Sequence, residues 1–361
     1  MKIALVCPYA WDRPGGVQTH VRALARALEQ RGHKTMTIAP GDAGDSDTEV
    51  VTVGRAIKIP ANGSIAPIAI NPLAAAAVRR ALRSFEPNVV HVHEPLVPSV
   101  SLSAVWNSKV PTVGTFHAAA ESNHWYGATR PVLARAMNKL TIRTAVSGAA
   151  RALADRYFPG SYLITPNGVE VERFQDAEPL ELGLGRKVVF FGRLERRKGP
   201  DVLIEAMARI KDLNARLIVG GSGPLEDECK QLAVERGVDA TFLGELSEDD
   251  VPRIYHSADV FCAPAIGGES FGIILIEAMS AGAPVVCSAI DGFLSAAGDA
   301  ALTFTPGSVT GLADELRTVL QDESEAHRLV KAGRLRASSF DWEGLAAGVE
   351  TIYQRARGVG R

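Results

Sequence analysis

The chain has 361 residues, of which 46% are hydrophobic and 22% charged, and a formal net charge of −2. This composition is that of a folded globular protein and excludes disordered and fibrous classes. The length exceeds the roughly 250–300 residues over which one hydrophobic core keeps growing, so two domains are expected.

No apolar segment approaches the roughly 20 residues that cross a bilayer, so any membrane contact is expected to be peripheral. The four cysteines, Cys7, Cys229, Cys262 and Cys287, are scattered and form no CxxC pair. That spacing predicts buried, reduced thiols in a cytosolic protein, with neither a zinc site nor a disulfide.

Charge is divided unevenly along the chain. Residues 1–175 contain 19 Lys and Arg against 12 Asp and Glu, which leaves 20 against 29 for the remainder. The basic first half is consistent with an anionic partner such as phosphate or an acidic membrane surface. Solvated surface charge would give the same counts.

Short β-branched runs alternate with helical patterns, which predicts parallel strands joined by crossover helices. In the first half the pattern runs through KIALVCPY, the helical GGVQTHVRALARALEQRG, HKTMTIAP, NVVHVHEP and VPTVGTFH. It restarts with RKVVFFGR, a helix over 200 to about 211, ARLIVGGSGP, a helix over 225–236, ATFLGEL, DVFCAPA and APVVCSA. Two similar sheets are therefore predicted.

The join is expected near the turn residues Pro166, Asn167 and Gly168. This gives a first domain of residues 1–168 and a second of residues 169–341. The final helical stretch, residues 342–361, follows the second sheet and is expected to pack back on the first domain.

In doubly wound sheets, ligands bind beyond the carboxyl ends of the strands, so the residues after each strand are the candidates for a site. After the first strand, Pro14, Gly15 and Gly16 lead into an amphipathic helix. Glycines and a helix N-terminus suit a phosphate, although a tight turn without a ligand explains them equally well. The absence of GxGxxG there disfavours a dehydrogenase.

Two further candidates follow strands of the second half. Arg193 and Lys198 in GRLERRKG would bind a diphosphate and neutralise its charge as it leaves. The alternative interpretation is a solvated basic turn without a ligand. In GGESFGIILIEAM, Glu269 and Glu277 are eight positions apart and would bracket one ligand at a helix start. Backbone N–H groups around 270–273 would face an anion there.

These motifs, with LIVGGSGP and TPNGVEVERF, resemble those of the retaining GT-B glycosyltransferases of family 4 along essentially the whole chain. The resemblance implies an α/β GT-B fold of two Rossmann-like doubly wound parallel-sheet domains facing across a cleft, and sugar transfer without a metal or cofactor. No His/Cys/Asp ligand cluster is evident in the sequence. The first domain would bind the acceptor and the second the nucleotide sugar.

The resemblance also implies roles for individual residues. Glu269 would contact the donor sugar, Glu277 the ribose hydroxyls, and Arg193 with Lys198 the diphosphate. His117, at the end of VGTFH, would face the transferred sugar, so the expected catalytic group is His117, Arg193, Lys198 and Glu269. The expected donor-binding residues are Gly16, Arg193, Lys198, Gly268, Glu269, Ser270, Phe271, Gly272, Ile273 and Glu277.

The segments VCPYAWDRPGGVQTHV, IPANGSIAPIAINP and HVHEPLVPS are similar to those of actinobacterial phosphatidylinositol mannosyltransferases. This similarity implies GDP-mannose as donor and phosphatidylinositol at the inner face of the cell membrane as acceptor. The implied acceptor-binding residues are Tyr9, Asp12, Gln18, Asn62 and Ser64. Where those enzymes carry an arginine shortly after NGS, this chain has Pro67, which removes an expected phosphate contact. His93 and Glu94 are expected to shape the acceptor wall.

A membrane surface is also suggested by basic residues. Residues 125–157 contain six cations near Trp125, Tyr126, Leu133 and Met137, against one acid, Asp155; the cations are Arg130, Arg135, Lys139, Arg143, Arg151 and Arg156. Arg79, Arg80 and Arg83 form a second basic group. Such a helix would lie on an anionic bilayer, although a core helix with a solvated basic side fits equally well.

Other functions remain open at this point. A family 4 enzyme using a UDP- or GDP-sugar with a soluble acceptor is the main alternative, and a non-catalytic nucleotide-binding module is disfavoured because Arg193, Lys198, Glu269 and Glu277 are all present. Nucleic-acid binding is not expected, since the basic residues are not interleaved with aromatics. The oligomeric state and the donor base are not determined by the sequence.

Overall fold

A computed structural model describes residues 1–13, 15–43, 48–61, 64–69, 72–119 and 124–359. The chain forms two compact units, one of residues 1–168 with 342–361 and one of residues 169–341. The functions expected of the two units stay predictions.

The first unit is an α/β unit with a central parallel sheet. Its strands are β1 (Lys2–Val6), β2 (Lys34–Ala39), β3 (Val50–Thr52), β4 (Ile57–Ala61), β5 (Ser64–Ile68), β6 (Val89–His93), β7 (Thr112–Phe116), β8 (Ile142–Ala145) and β9 (Leu163–Ile164). Its helices are α1 (Gly16–Gln30), α2 (Pro72–Phe85), α3 (Val100–Asn107), α4 (His124–Met137), α5 (Gly148–Tyr157) and, from the chain end, α14 (Trp342–Val359).

Seven strands of this unit form one sheet in the order β3-β2-β1-β6-β7-β8-β9, with every neighbouring pair parallel. The order reverses between β1 and β6, which is the switch point where doubly wound sheets bind ligands. Strands β4 and β5 form a separate antiparallel hairpin that the alternating pattern does not predict.

The second unit repeats the architecture. Its strands are β10 (Lys187–Phe191), β11 (Arg216–Gly220), β12 (Ala240–Gly244), β13 (Val260–Ala263), β14 (Val285–Ser288) and β15 (Leu302–Phe304). Its helices are α6 (Val171–Gln175), α7 (Pro200–Arg209), α8 (Glu226–Arg236), α9 (Asp250–His256), α10 (Ile273–Ala281), α11 (Asp291–Ala297), α12 (Val309–Gln321) and α13 (Glu323–Ser338), with 3-10 turns at Arg196–Lys198 and Lys211–Leu213.

The second sheet has the order β12-β11-β10-β13-β14-β15 and is also fully parallel. Its switch point lies between β10 and β13. The prediction of two parallel-sheet α/β units is therefore confirmed. The predicted helix over 200–211 ends two residues earlier, and a 3-10 turn follows it.

Helix α4 contains part of the basic segment that was considered for contact with an anionic bilayer. Tyr126, Leu133 and Met137 are buried in the main core cluster of the first unit, so they do not form an outward apolar face. Arg130 and Arg135 are exposed on the same helix. The described part of α4 is thus a core helix with a solvated basic side, and the side chain of Trp125 lies outside the described residues.

The C-terminal helix α14 belongs to the first unit and packs on α1. Its buried side chains recur every three or four residues, which gives one apolar face; they are Trp342, Ala346, Val349, Tyr353 and Ala356. This face joins Leu24 and Leu28 of α1 in a core cluster with β1. The Tyr353 hydroxyl also lies 2.7 Å from His91 Nδ1 beneath it.

Replacing Tyr353 tests how strongly α14 stabilises the first unit. Tyr353→Ala should lower the free energy of unfolding by about 3–5 kcal/mol, because it leaves a cavity in a fully buried position. Tyr353→Phe should cost about 1–3 kcal/mol, because buried His91 loses a hydrogen-bond partner. Chemical denaturation measures both.

The control is Val359→Ala, at a position of the same helix that is 68% exposed, with an expected effect within about 0.5 kcal/mol. Equal stability of all three variants would contradict a stabilising role for this helix face.

Candidate functional site

The predicted site residues of the second unit lie at its switch point. The segment after β10 carries Arg193 and Lys198, and the segment after β13 carries Glu269. The two strands are neighbours in the sheet, so their C-terminal loops emerge side by side. Parallel pairing therefore brings together residues that are about 70 positions apart in sequence.

Backbone contacts hold these two loops against each other. The Ile266 N–H donates to the Arg197 carbonyl at 2.9 Å. Gly199 has φ +67, and a Cβ there would lie 2.2 Å from the Pro264 carbonyl oxygen, so a side chain at this position has no room. This close approach fixes the end of the basic segment beside the glycine pair that precedes Glu269.

Glu269 is the centre of an ion-pair cluster in this structure. Its Oε1 lies 2.6 Å from Lys198 Nζ and 2.9 Å from an Arg197 guanidinium nitrogen. The Arg197 Nε contacts Glu195, which also accepts from Arg193 Nε at 2.9 Å. Three cations and two carboxylates thus lie together, with one excess positive charge.

The cations of this cluster differ in exposure. The Lys198 side chain is 15% exposed and that of Arg193 is 56% exposed. Arg193 is therefore the better solvated cation and its pair with Glu195 the more easily exchanged, whereas both partners of the Lys198–Glu269 pair are largely shielded from solvent. An anion that entered here would compete with Glu269 for Lys198.

The glycine-rich segment does not form one helix that carries both glutamates. Helix α10 begins at Ile273 with Gly272 at its N-cap in the left-handed conformation, φ 91. Glu269 lies in the loop before the helix, and Glu277 lies on the second helical turn. The two glutamates therefore lie on either side of the start of α10, and their binding of one ligand stays a prediction. Gly268, Ser270 and Phe271 belong to the same loop, and Phe271 is buried against Phe340.

Glu277 is held by a tyrosine that sequence inspection did not select. The fully buried Tyr255 donates its hydroxyl to Glu277 Oε2 at 2.8 Å. Burial raises the pKa of Glu277, and the hydrogen bond from Tyr255 lowers it. The bond fixes one carboxylate oxygen and leaves the other to accept from a ligand hydroxyl.

In the first unit, the expected acceptor residues lie around the loop after β1. Tyr9 forms a β-bridge with Ile68 at the end of the β4–β5 hairpin, and the Ala10 N–H donates to the Pro67 carbonyl at 2.9 Å. The loop and the hairpin are therefore neighbours. Burial raises the pKa of the half-buried Tyr9 well above its usual value, so this hydroxyl stays protonated.

The remaining acceptor predictions have mixed outcomes. Asp12 is exposed, and its carboxylate lies 3.8 Å from Arg13 Nε. Gln18 is buried and donates from Nε2 to the carbonyls of Ala10 and Arg13, so it supports the loop instead of presenting its amide nitrogen to a ligand. Asn62 lies outside the described residues, and of Ser64 only the backbone in β5 is described. Gly16 is exposed at the first turn of α1.

His117 lies after β7, at the end of a buried histidine group. His93 Nδ1 is 2.9 Å from His117 Nε2, and the His20 ring centroid is 5.0 Å from that of His117. Glu94 Oε1 accepts from the backbone N–H of His117 and of Ala118, each at 2.6 Å. His93 and Glu94 are 0% and 2% exposed, so they hold His117 and do not form an open acceptor wall.

The structure corrects the expectation that the chain lacks a metal-ligand cluster. One ring nitrogen each from His20, His93 and His117 lies within 4.8 Å of the others, a set that suits a transition metal. The hydrogen bond between His93 and His117 already uses two ring nitrogens. That the reaction needs no metal or cofactor stays a prediction.

A chain of hydrogen bonds runs beneath this group. The Tyr353 hydroxyl is 2.7 Å from His91 Nδ1, and His91 Nε2 is 2.6 Å from Thr115 Oγ1. Thr115 Oγ1 lies 2.5 Å from Thr144 Oγ1. Burial lowers the pKa of His91 to about 3 and that of His20 to about 4, and it lowers the pKa of His93 and His117 well below the usual value. All four imidazoles are therefore neutral at pH 7.

Known families and proteins match this chain throughout its length. The model described as "Glycosyltransferase Family 4" matches residues 14–173, and the one described as "Glycosyl transferases group 1" matches residues 172–336. A phosphatidyl-myo-inositol mannosyltransferase of Mycobacterium leprae is 36% identical over 362 residues, which are 98% of this chain and 96% of that protein. The chain belongs to glycosyltransferase family 4. The predicted family is thereby confirmed.

Solved structures agree on the fold. A glycosyltransferase from Rickettsia africae has a TM-score of 0.79 at 17% identity, with 98% of both chains covered. Anabaena HepE in complex with UDP-glucose has a TM-score of 0.76 at 19% identity and covers 98% of this chain and 100% of that one. This family 4 chain therefore has the GT-B fold. Among the described residues, no helix is both long and apolar enough to span a bilayer.

Tyr255→Phe tests whether the tyrosine supports Glu277 as a ligand-binding carboxylate. Loss of the hydroxyl removes the bond that holds Oε2 and raises the pKa of Glu277 further, so the carboxylate is less ionised and less ordered. We expect nucleoside diphosphate affinity, measured by calorimetry with GDP, to fall about tenfold. The matched control is Tyr162→Phe, which removes a buried bond to the Phe158 carbonyl. Equal affinity in both variants would contradict the role.

The lowered histidine pKa values predict acid destabilisation. Because the folded pKa values of His20 and His91 lie below those of the unfolded chain, stability is full above about pH 6.5 and falls as the pH drops towards 4. At pH 5 each histidine should cost about 2 kcal/mol of unfolding free energy relative to pH 7. Denaturant titrations at both pH values measure the loss of unfolding free energy. His91→Asn should reduce this loss. His327→Gln, at an exposed site, is the control and should leave it unchanged. Equal wild-type stability at pH 5 and pH 7 would contradict the prediction.

Proposed function

We propose that this family 4 glycosyltransferase transfers mannose from GDP-mannose to the inositol ring of phosphatidylinositol at a membrane surface, with retention of configuration. The observation that carries the proposal is the 36% identity, across 98% of the chain, to an enzyme named phosphatidyl-myo-inositol mannosyltransferase. The contacts at the two switch points support it.

The ion-pair cluster around Glu269 suits a diphosphate donor. Lys198 pairs with Glu269 and Arg193 with Glu195 in the structure. A diphosphate would take over both cations, which are the groups that stabilise it as it leaves. Glu269, released from Lys198, would accept from a hydroxyl of the sugar. The same exchange of ion-pair partners would then bind the donor and orient its sugar.

The nucleoside is expected at Glu277. Its carboxylate keeps one oxygen free of the Tyr255 hydroxyl, which suits the paired hydroxyls of a ribose. The N–H groups at the start of α10 favour negative charge nearby. Ribose and diphosphate are common to all nucleoside diphosphate sugars, so mannose rests on the relatives' name and guanine on the sequence resemblance.

In the proposed reaction, the bond from the sugar C1 to the diphosphate oxygen breaks, and a bond from C1 to an inositol oxygen forms on the same face. The proton of the inositol hydroxyl moves to the departing diphosphate. Arg193 and Lys198 stabilise the negative charge that remains. His117 hydrogen-bonds a substrate oxygen, and no carboxylate nucleophile is invoked.

The acceptor is assigned to the loop after β1 and the β4–β5 hairpin. Tyr9 stays protonated and can donate to a phosphate or inositol oxygen, and the exposed Asp12 can accept from an inositol hydroxyl. The exposed Arg79, Arg80 and Arg83 of α2 would favour anionic lipids nearby.

A second candidate is transfer from a UDP- or GDP-sugar to a soluble acceptor. Pro67 favours it, because the lipid-modifying relatives are expected to place an arginine near that position for the phosphate. The structural match to Anabaena HepE in complex with UDP-glucose is compatible with a uridine donor.

The test measures release of nucleoside diphosphate from GDP-mannose or UDP-glucose, with vesicles containing phosphatidylinositol, vesicles of phosphatidylcholine alone, or soluble inositol phosphate. Turnover with GDP-mannose and phosphatidylinositol vesicles only would support the proposal. Turnover with the soluble acceptor or with UDP-glucose would favour the second candidate instead.

Variants test whether the ion-pair cluster around Glu269 takes part in sugar transfer. Lys198→Ala should lower kcat/KM at least a hundredfold, because it removes a charge that acts on the leaving group. Arg196→Ala is the matched control, since Arg196 pairs with Asp201 and Glu228 on the surface. An equal loss in both variants would place the active groups elsewhere.

A further inference from the structure

We infer that His93 is a positioning residue that fixes His117 as a hydrogen-bond donor through its Nδ1, and this inference rests on the proposed function for the role of His117 at the substrate. The 2.9 Å bond between His93 Nδ1 and His117 Nε2 carries the argument. A neutral imidazole has one N–H and one bare nitrogen, so a shared hydrogen bond couples the tautomers of the two rings.

The direction of this bond follows from the far side of the His93 ring. His93 is 0% exposed, and its Nε2 has no hydrogen-bond partner. A buried N–H without an acceptor is rarer in proteins than a bare acceptor without a donor. The proton of His93 therefore lies on Nδ1, where it is used, and His93 donates to His117 Nε2.

The tautomer of His117 is then determined. Because Nε2 accepts, the single proton of the neutral ring lies on Nδ1. His117 can donate from Nδ1 to a sugar or acceptor oxygen but cannot take a proton there. This excludes the neutral His117 Nδ1 as a general base and agrees with proton transfer to the leaving diphosphate.

The main chain at His117 is fixed independently. Glu94 Oε1 accepts from the N–H groups of His117 and Ala118. Glu94 itself has φ 48, a left-handed conformation that is uncommon outside glycine. The last residue of β6, His93, and the strained residue after it, Glu94, thus orient the ring and the backbone of His117, which follows the neighbouring strand β7.

The first experiment is a two-dimensional ¹⁵N spectrum of histidine side chains in the full-length protein at pH 7.5 without substrates, with His117 assigned from the His117→Asn variant. The inference predicts a protonated Nδ1 and a bare Nε2 in His117, and the same tautomer in His93. A protonated Nε2 in His117, or averaged signals from both nitrogens, would overturn it. Because no donor or acceptor is present, this result is independent of the proposed function.

Two variants test the consequence for turnover. His93→Phe keeps the ring volume but removes the donor, so His117 should show mixed tautomers and kcat should fall about ten- to a hundredfold with KM nearly unchanged. His93→Asn places an amide donor near the Nδ1 position and should recover most of kcat and the single tautomer. A loss of kcat in His93→Phe without a change in the His117 signals would overturn the positioning role.

Ser101→Ala is the matched control, because Ser101 donates to the His93 carbonyl at 2.8 Å but does not touch the ring. It should leave both the His117 signals and kcat within twofold of the wild type. Equal effects of Ser101→Ala and His93→Phe would show that general loosening of this strand end, and not the ring bond, is responsible. If the tautomers are as inferred but no substrate turns over, only the proposed function fails.

Discussion

Parallel pairing of strands at the two switch points is the constraint on which the rest of this structure depends. In each sheet the order reverses beside the first strand, between β1 and β6 and between β10 and β13. The loops that leave these neighbouring strands emerge at one edge, so segments that are distant in sequence meet there. The histidine group and the ion-pair cluster are both built at such edges.

The polar groups at the edges of the two sheets differ in their charge. At the second, cations and carboxylates are paired and partly solvated, so a ligand can exchange one partner for another at modest cost. At the first, burial keeps His20, His91, His93 and His117 neutral, and their polarity is satisfied mainly by hydrogen bonds of defined direction. One edge is suited to an anion that arrives and leaves, the other to a fixed set of donors.

The alternation of strands and helices was enough to predict both sheets, and the motifs after the strands were enough to select Arg193, Lys198, Glu269 and Glu277. The sequence could not show which way individual side chains point. Arg196 and Arg197 are adjacent in one charge run, yet Arg196 pairs with surface acids while Arg197 turns towards Glu269. Likewise, spacing placed Glu277 on a helix but gave no sign of Tyr255, whose contact depends on the packing of α9 against α10. The final helix was expected to pack on the first unit, but the sequence did not identify α1 as the helix that it contacts.

The backbone contact between Gly199 and the Pro264 carbonyl has a consequence for how new donor preferences can arise in this scaffold. Because Gly199 has no room for a side chain and the Ile266 N–H donates directly to the Arg197 carbonyl, the two loops are held together as one structural unit. Lengthening either loop alone would separate the basic residues from Glu269. Diversification, natural or engineered, is therefore expected to exchange both segments together or to leave their lengths unchanged and vary only the side chains they present.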